Sequence, residues 1–440
     1  MSNWEIVTLD DVAESINTGL DAIRRAPIVS HKTDLRCLRI QDISQNKPFD
    51  KWGYTEVKDT DFKKFQLVPN DIIMARTCST GICYLVKEEL PAVFNNGLAR
   101  IRLKIEKVDP QFIYYIFKSK HFSGYIDGIS GGTSVQLNMK IGDLSKYQFK
   151  LPPLSEQKEI ARILSDLDKK IEINTQINQT LEQIAQAIFK SWFVDFDPVR
   201  AKAATLASGK TDAEAELAAM QAISGKTAEE LAQMPSESYA ELVEIAKAFP
   251  SEFGEDGVPM GWEVCTFGDV SECFDSKRIP LSKQQREKRK GSIPYYGATS
   301  VMDYVDEAIF DGIYLLIGED GSVLKEDGTP FTQYIWGQSW VNNHAHAING
   351  KNGVSTEHLM LFIQQTNITA YITGAVQLKL NQKNMNSIPF IKASNEVNMI
   401  FAKYIEPLYA RVRKNSDENK VLESTRDLLL PRLLNGEIQL

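Results

Sequence analysis

The chain has 440 residues, 43% of them apolar and 25% charged, a globular composition with material for two or three domains. No run approaches the roughly 18 apolar residues of a membrane span, and the opening Met1-Ser-Asn-Trp-Glu lacks the basic-then-apolar pattern of a secretion signal. Cys37, Cys78, Cys83, Cys265 and Cys273 are odd in number and scattered without CxxC spacing, which argues against a disulfide framework or zinc cluster; a reduced, cytoplasmic setting is expected.

The net charge of −8 is unevenly spread: residues 1–150 carry +3, residues 151–261 carry −9 and residues 262–440 carry −2. The acidity sits in one middle segment. A nucleic-acid surface elsewhere is permitted, though charge alone does not reveal it.

In chain order, residues 1–153 read as a first domain of mixed α/β character. Short β-type runs such as Asp71-Ile-Ile-Met-Ala and Ala99-Arg-Ile-Arg-Leu-Lys-Ile are bounded by Gly, Asn and Asp turn signals, and a helix is expected over 110–120. Residues 154–192 form a long helix, in which Ile160, Leu164, Leu167, Ile171, Asn174, Asn178, Leu181, Ala185 and Ile188 recur at 4-3 spacing. Residues 193–261 are rich in Ala and Glu and read as an acidic helical linker, solvated, with helices over 213–224 and 228–233. Residues 262–393 form a second mixed domain, with a strand at Gly312-Ile-Tyr-Leu-Leu-Ile and a helix near 356–365. Residues 394–440 form a second long helix, with Phe401, Ile405, Leu408, Val412, Asn415, Asn419, Leu422, Arg426 and Leu429 in its stripe.

The chain contains itself twice. Trp4-Glu-Ile-Val-Thr-Leu-Asp-Asp-Val12 returns as Trp262-Glu-Val-Cys-Thr-Phe-Gly-Asp-Val270, Val93-Phe-Asn-Asn-Gly-Leu-Ala as Trp340-Val-Asn-Asn-His-Ala-His, and Val135-Gln136-Leu137 as Val376-Gln377-Leu378. The two helical stripes are the fourth block, and four blocks in one order rarely match by chance. The fold class expected is therefore α+β/mixed α/β: two similar globular domains separated by two long helices that pair as an antiparallel coiled coil, an internal pseudo-two-fold repeat. The alternative is two unrelated surface helices, each packed on its own domain. In the coiled coil Asn174 and Asn415 would face each other, flanked by Asn178 and Asn419, and buried amides would fix the register; on an exposed stripe edge they would do nothing of the kind. The span from Ile160 to Ile188 is about 42 Å at ~1.5 Å per residue. Such a rod matches about 12 base pairs of B-DNA, which would put two readers on one face of a duplex.

Catalytic motifs are poorly matched. A stand-alone modification enzyme needs an Asn/Asp-Pro-Pro-Tyr/Phe motif and a Gly-rich cofactor loop, and neither is present. Ser208-Gly-Lys-Thr211 and Ser224-Gly-Lys-Thr227 end like phosphate-binding loops, but Ala204 and Met220 stand where the first Gly belongs. His344 and His346 share a strand face without Cys or paired carboxylates at ligand spacing, so no metal is assigned.

The layout resembles the specificity subunits of type I restriction–modification systems. The residues that carry the likeness are Trp4-Glu, Val135-Gln-Leu-Asn138, Leu151-Pro-Pro-Leu-Ser-Glu-Gln-Lys-Glu-Ile-Ala161, Phe189-Lys-Ser-Trp-Phe-Val-Asp-Phe-Asp-Pro198 and Pro259-Met-Gly-Trp-Glu263. The second copy departs from it, since Ile388-Pro-Phe-Ile-Lys-Ala-Ser-Asn-Glu396 lacks the Pro-Pro-Leu and the Gln, and Pro407 is expected to kink its helix. The resemblance implies a non-catalytic subunit whose two target-recognition domains read the halves of an interrupted double-stranded DNA site. It implies helices that set the spacer and dock two methyltransferase subunits, through which restriction subunits join. It places no cofactor in this chain, S-adenosylmethionine in the methyltransferase subunits, and ATP with Mg in the restriction subunits. The competing reading is a tandem-domain scaffold that binds protein or RNA.

Readout needs Arg or Lys for guanine, Asn or Gln for adenine, and small polar groups for phosphate. Arg76, Thr77, Ser79 and Thr80 gather such groups in a loop ending at Gly81, and Gly318-Glu-Asp-Gly-Ser322, with Asp320 and Ser322, holds the matching place in the second half. Asn95, Asn96, Asn342 and Asn343 sit in matching turns, where a turn-forming role competes with readout. Lys283, Arg286, Lys288, Arg289 and Lys290 form the densest basic cluster, and Arg24, Arg25 and Lys32 a weaker one; phosphate contact competes with a solvated loop for both.

Overall fold

The structure is a computed structural model that describes residues 4–129, 138–374, 377–438 and 440. Val135, Gln136, Leu137 and Val376 of the third repeated block lie outside the described residues. The chain divides into two compact units, residues 1–173 with 418–440, and residues 174–417.

The strands of the first unit are β1 (Glu5–Thr8), β2 (Ala13–Thr18), β3 (Ile28–Val29), β4 (Leu35–Leu38), β5 (Gly53–Thr55), β6 (Ile72–Ala75), β7 (Cys83–Leu85), β8 (Ala92–Phe94), β9 (Leu98–Leu103) and β10 (Gln148–Leu151). One sheet runs β2-β9-β6-β7 and is antiparallel throughout. A second runs β3-β5-β4-β8, with β4 and β8 parallel, and β1 pairs antiparallel with β10. Strand β6 is an unbroken apolar run because both its faces are covered. Ile72 and Met74 pack with Phe112, Ile113 and Ile116, while Ile73 and Ala75 pack with Trp52, Leu67 and Phe94. Asp109 opens the helix Pro110–Phe117 by accepting the Phe112 N–H, with Pro at the first position. That helix ends three residues short of the expected 120, and Lys120–Ile129 follows as a separate one.

The second unit repeats this plan with β11 (Glu263–Thr266), β12 (Ser271–Cys273), β13 (Lys290–Tyr296), β14 (Val301–Val305), β15 (Tyr314–Gly318), β16 (Thr332–Ile335), β17 (Trp340–Val341), β18 (Ala345–Gly350) and β19 (Pro389–Lys392). Its antiparallel sheet is β12-β18-β15-β16, its mixed sheet β14-β13-β17 has β13 and β17 parallel, and β11 pairs with β19. The expected helix near 356–365 is Thr356–Ile363, capped by Ser355.

The reading of 193–261 as a solvated linker is corrected. Four helices, Asp197–Ala207, Asp212–Ser224, Ala228–Ala232 and Ser236–Ala248, occupy it. Their Ala219, Met220, Leu231, Leu242 and Ile245 join the core that holds Leu359 and Phe401. Only the acidic faces are solvated, and the small and apolar residues between them make a second face with burial to gain. Ahead of these helices, the aromatic run Phe189-Lys-Ser-Trp-Phe closes one π turn (Lys190–Val194), and Phe196 at φ 55° redirects the chain. His358 lies within 6 Å, ring centre to ring centre, of Phe189, Phe193, Phe390 and Phe401. Burial among those rings pulls its imidazole down to about 3, so it is a neutral core group.

The two long helices are Leu154–Phe189 and Asn395–Leu434, and each crosses from one unit to the other in sequence. Within the first unit Asp168 pairs with Arg426 at 2.8 Å and the Asn419 amide donates to the Ile171 carbonyl at 3.4 Å, an antiparallel order. Within the second, Asn415 donates to the Asn178 amide oxygen at 2.9 Å, and Asn178 donates to Ser416 and to the Val412 carbonyl. Asn174 and Asn415 are both fully buried, which removes the exposed-edge reading. The partner that Asn415 addresses is Asn178, one turn beyond the expected Asn174. The stripe is buried or half-buried at Ile160, Leu164, Leu167, Ile171, Leu181, Phe401, Ile405, Leu408, Val412 and Leu422. The second helix is not broken at Pro407, which stands on its exposed face.

Candidate nucleic-acid interface

In each unit three chain segments meet at the end of the central strand, and the same backbone bonds tie them. In the first, β6 ends at Ala75, and the Arg76 N–H donates to Gly97 O at 2.9 Å while Arg76 O accepts the Met139 N–H at 2.9 Å. In the second, β15 ends at Gly318, and the Glu319 N–H donates to His344 O at 2.8 Å while Glu319 O accepts the Leu380 N–H at 2.8 Å. One residue further, Thr77 bridges Asn138 and Asp320 bridges Lys379. Asn95 folds its side chain back to accept the Gly97 N–H, as Asn342 does for the His344 N–H. The backbone N–H of Asn95 reaches Leu38 O and that of Asn342 reaches Tyr296 O. Asn95 and Asn342 are therefore turn-formers.

The side chains on this shared frame differ in sign. Arg76 points inward: its guanidinium donates to Met139 O at 3.2 Å and Asn96 O at 3.4 Å, and partial burial lowers its proton affinity. In this arrangement it braces the loops. Thr80 donates to Arg76 O at 3.4 Å, and Cys78 at φ 60° turns the loop outward beside half-buried Thr77 and Ser79. At the equivalent place Glu319 is an anion that binds Arg278 at 2.8 Å and Lys379 at 3.1 Å. Asp320 accepts from His344 Nδ1 at 2.5 Å, and Ser322 is exposed.

Beneath Glu319 lies a cluster that sequence spacing did not disclose. Cys273, Asp275 and His346 offer ligand-type atoms within 4.8 Å of one another. Both His346 nitrogens are engaged, Nδ1 with Asp275 at 2.5 Å and Nε2 with Leu380 O at 2.7 Å, and Arg278 bonds Asp275 at 3.0 Å. The group works as an ion-paired brace: a metal seated between Asp275 and Nδ1 would have to break the Asp275–His346 bond and displace the Arg278 guanidinium beside it.

The basic segment is largely neutralised from within. Ser282 caps the helix Lys283–Lys288. Arg286 pairs with Asp303 at 3.1 Å, Lys290 with Asp303 at 2.6 Å, and Arg289 with Asp306 at 3.0 Å and with Glu307. Arg286 also lies over Tyr295, and Arg289 over Trp340. Bonded by Lys290, by the Tyr304 N–H and by Arg286, the Asp303 carboxyl falls to about 2. Of the five cations expected to face phosphate, Arg286, Arg289 and Lys290 are thus ion-paired within the chain, while Lys283 and Lys288 are exposed and without ion-pair partners among the described residues. Arg25 is likewise held by Asp61 at 2.5 Å, whose carboxyl that bond lowers, while Arg24 and Lys32 stay exposed.

Sequence reasoning named two of the three converging segments. The third, 138–140 and 377–380, was signalled by the Val-Gln-Leu repeat immediately before or within it. Its contribution to the site, and the roles of Arg278 and Lys379, were not.

A two-fold repeated recognition frame on paired helices defines a class, and comparison with known proteins gives the same class. Residues 1–183 and 259–424 match the family model "Type I restriction modification DNA specificity domain". The chain is 34% identical to the type I restriction enzyme HindI specificity subunit of Haemophilus influenzae, over 100% of both chains. It is 23% identical to the MjaIX specificity subunit of Methanocaldococcus jannaschii, over 82% of this chain and 77% of that one. The crystal structure of the type I restriction–modification S subunit from M. genitalium shares the fold, with a TM-score of 0.57 at 16% identity over 98% and 96% of the two chains. The chain belongs to the family of type I restriction–modification DNA-specificity subunits. It is the recognition component of such a complex and not a catalytic one, acting with DNA and with partner subunits. Among the described residues no helix is long and apolar enough to cross a membrane.

Proposed function

We propose that each three-segment junction faces one half of an interrupted double-stranded DNA site. Thr77, Ser79 and Thr80 would be directed to bases by the first unit, and Ser322 together with the Asp320–His344 pair by the second. Arg24, Lys32, Lys283 and Lys288 contact phosphate, and helix length sets the number of base pairs between the halves. Two methyltransferase subunits that carry S-adenosylmethionine join this chain in the cytoplasm, and restriction subunits using ATP and Mg complete the complex. No cofactor is assigned to this chain. The observation that carries the reading is the repeated backbone frame (Arg76–Gly97–Met139 and Glu319–His344–Leu380) bearing different outward side chains. A common frame with unlike groups is what reading two unlike half-sites in one orientation requires.

The test is single-molecule methylation sequencing of DNA from cells that express this chain with a methyltransferase subunit. A two-part motif with N6-methyladenine on both strands, lost when the chain is omitted, is the expected result. Methylation that persists unchanged without the chain overturns the reading. A heptad added to each long helix lengthens the spacer and leaves both half-sites as they were.

A further inference from the structure

Within the second junction one side chain differs from the rest in being both fixed and outward. Asp320 accepts from His344 Nδ1 at 2.5 Å, with the two side chains 19% and 45% exposed. With the carboxylate accepting, Nδ1 is the donor of that bond and the second ring nitrogen, Nε2, is left for another partner. Nε2 has no partner among the described residues. Asn342 pins the backbone from below by accepting the His344 N–H at 2.8 Å, and Glu319 binds the His344 carbonyl at 2.8 Å. Main chain and ring are thus both oriented.

The first unit has no counterpart. Gly97 stands at the place of His344 and Thr77 at that of Asp320, as the matched backbone bonds establish. A Cβ at Gly97 would come within 2.8 Å of Ile40 Cδ1, so a side chain there would have to push the end of Ile40 aside. The frame is kept and the polar tip exists on one side only.

We propose that His344, held by Asp320, is a specificity-determining residue: Nε2 hydrogen-bonds the edge of one base in the half-site read by the second unit. The inference rests on the DNA-reading role assigned above. A fixed single nitrogen discriminates between base edges because a misplaced donor or acceptor leaves it unpaired, whereas a mobile ammonium adapts to any acceptor. Asp320 acts through His344 as a positioning residue.

The test uses the full chain with its methyltransferase subunit and compares methylated motifs. The variants are His344→Gly and Asp320→Asn, with Thr77→Ala/Ser79→Ala as the first-unit control. His344→Gly is expected to leave the motif bipartite and make one base pair degenerate, lowering discrimination there by about tenfold. Asp320→Asn, which keeps an acceptor for Nδ1, gives a smaller loss at the same base pair. The control changes the opposite half-site. An unchanged motif for His344→Gly, or degeneracy in the half that the control alters, overturns the inference. If His344→Gly yields no methylation, Asp320→Asn decides: degeneracy at one base pair supports the proposal and an intact motif sinks it. Chain-dependent methylation by the unaltered protein confirms the DNA-reading role in every one of these outcomes, so the two failures are told apart.

Discussion

The first junction is closed by a cation and the second by an anion. Among the described residues Arg76 reaches only carbonyl oxygens, so its charge is offset there by dipoles. Glu319 is enclosed by Arg278 and Lys379, and through Arg278 joins Asp275 and His346. The comparison teaches that backbone bonds hold the frame while its ionic closure is interchangeable, which frees the outward residues to vary. It also predicts unequal fragility, because a network loses more from one missing member than a pair of neutral bonds does.

The largest expected effect is Glu319→Ala. Glu319 and Arg278 are 13% and 10% exposed, so removal leaves a nearly buried guanidinium with Asp275 as its remaining carboxylate partner beside the Ala345 carbonyl. A cost of about 3 kcal/mol is expected in denaturant unfolding; a change below about 1 kcal/mol would mean that the second junction is no more dependent on charge than the first. Arg76→Met comes next, with two bonds to carbonyls lost for about 1–2 kcal/mol. If it destabilised more than Glu319→Ala, the ranking of the two closures would reverse.

Charge variants sharpen the comparison at smaller scale. Lys283→Ala with Lys288→Ala should reduce the slope of log K against log salt by about 2 for duplex binding, leaving the methylated motif unchanged. Arg289→Ala, already paired, should leave that slope nearly as it was. The smallest effect concerns acid. Asp303 has its folded-state pKa depressed to about 2, so its contribution is present above the unfolded value of about 4 and is lost as pH falls from there toward 2. Unfolding followed from pH 5 to 2 should therefore be steeper for the unaltered chain than for Asp303→Asn. Equal slopes would show that Lys290 and Arg286 do not depend on that carboxylate.

The repeat, the paired helices and the buried asparagines were legible because periodicity and recurrence are properties of sequence order. Leu164 and Phe401 declare themselves by spacing alone. The inward turn of Arg76 was not legible, since an arginine beside a strand end is chemically equal facing solvent or a carbonyl. Nor was the neutralisation of 283–290, because Asp303, Asp306 and Glu307 arrive from another strand. The linker misled for a related reason: its charge was counted per segment, whereas burial follows one face of a helix, as Ala215, Ala219 and Met220 do in Asp212–Ser224.

The unit that contains the N-terminus also contains residues 418–440. Leu430 and Leu433 cover the same cluster as Ile160, Ala161 and Leu164. Residues 1–173 leave the ribosome before the 244 residues of the second unit, 174–417, are made. At ~5–20 residues per second that interval is about 12–50 s. Throughout it the cluster of Ile160 and Leu164 lacks the strip that carries Leu430 and Leu433, so the nascent protein has an incomplete apolar cluster that a chaperone can cover until residues 418–440 are made.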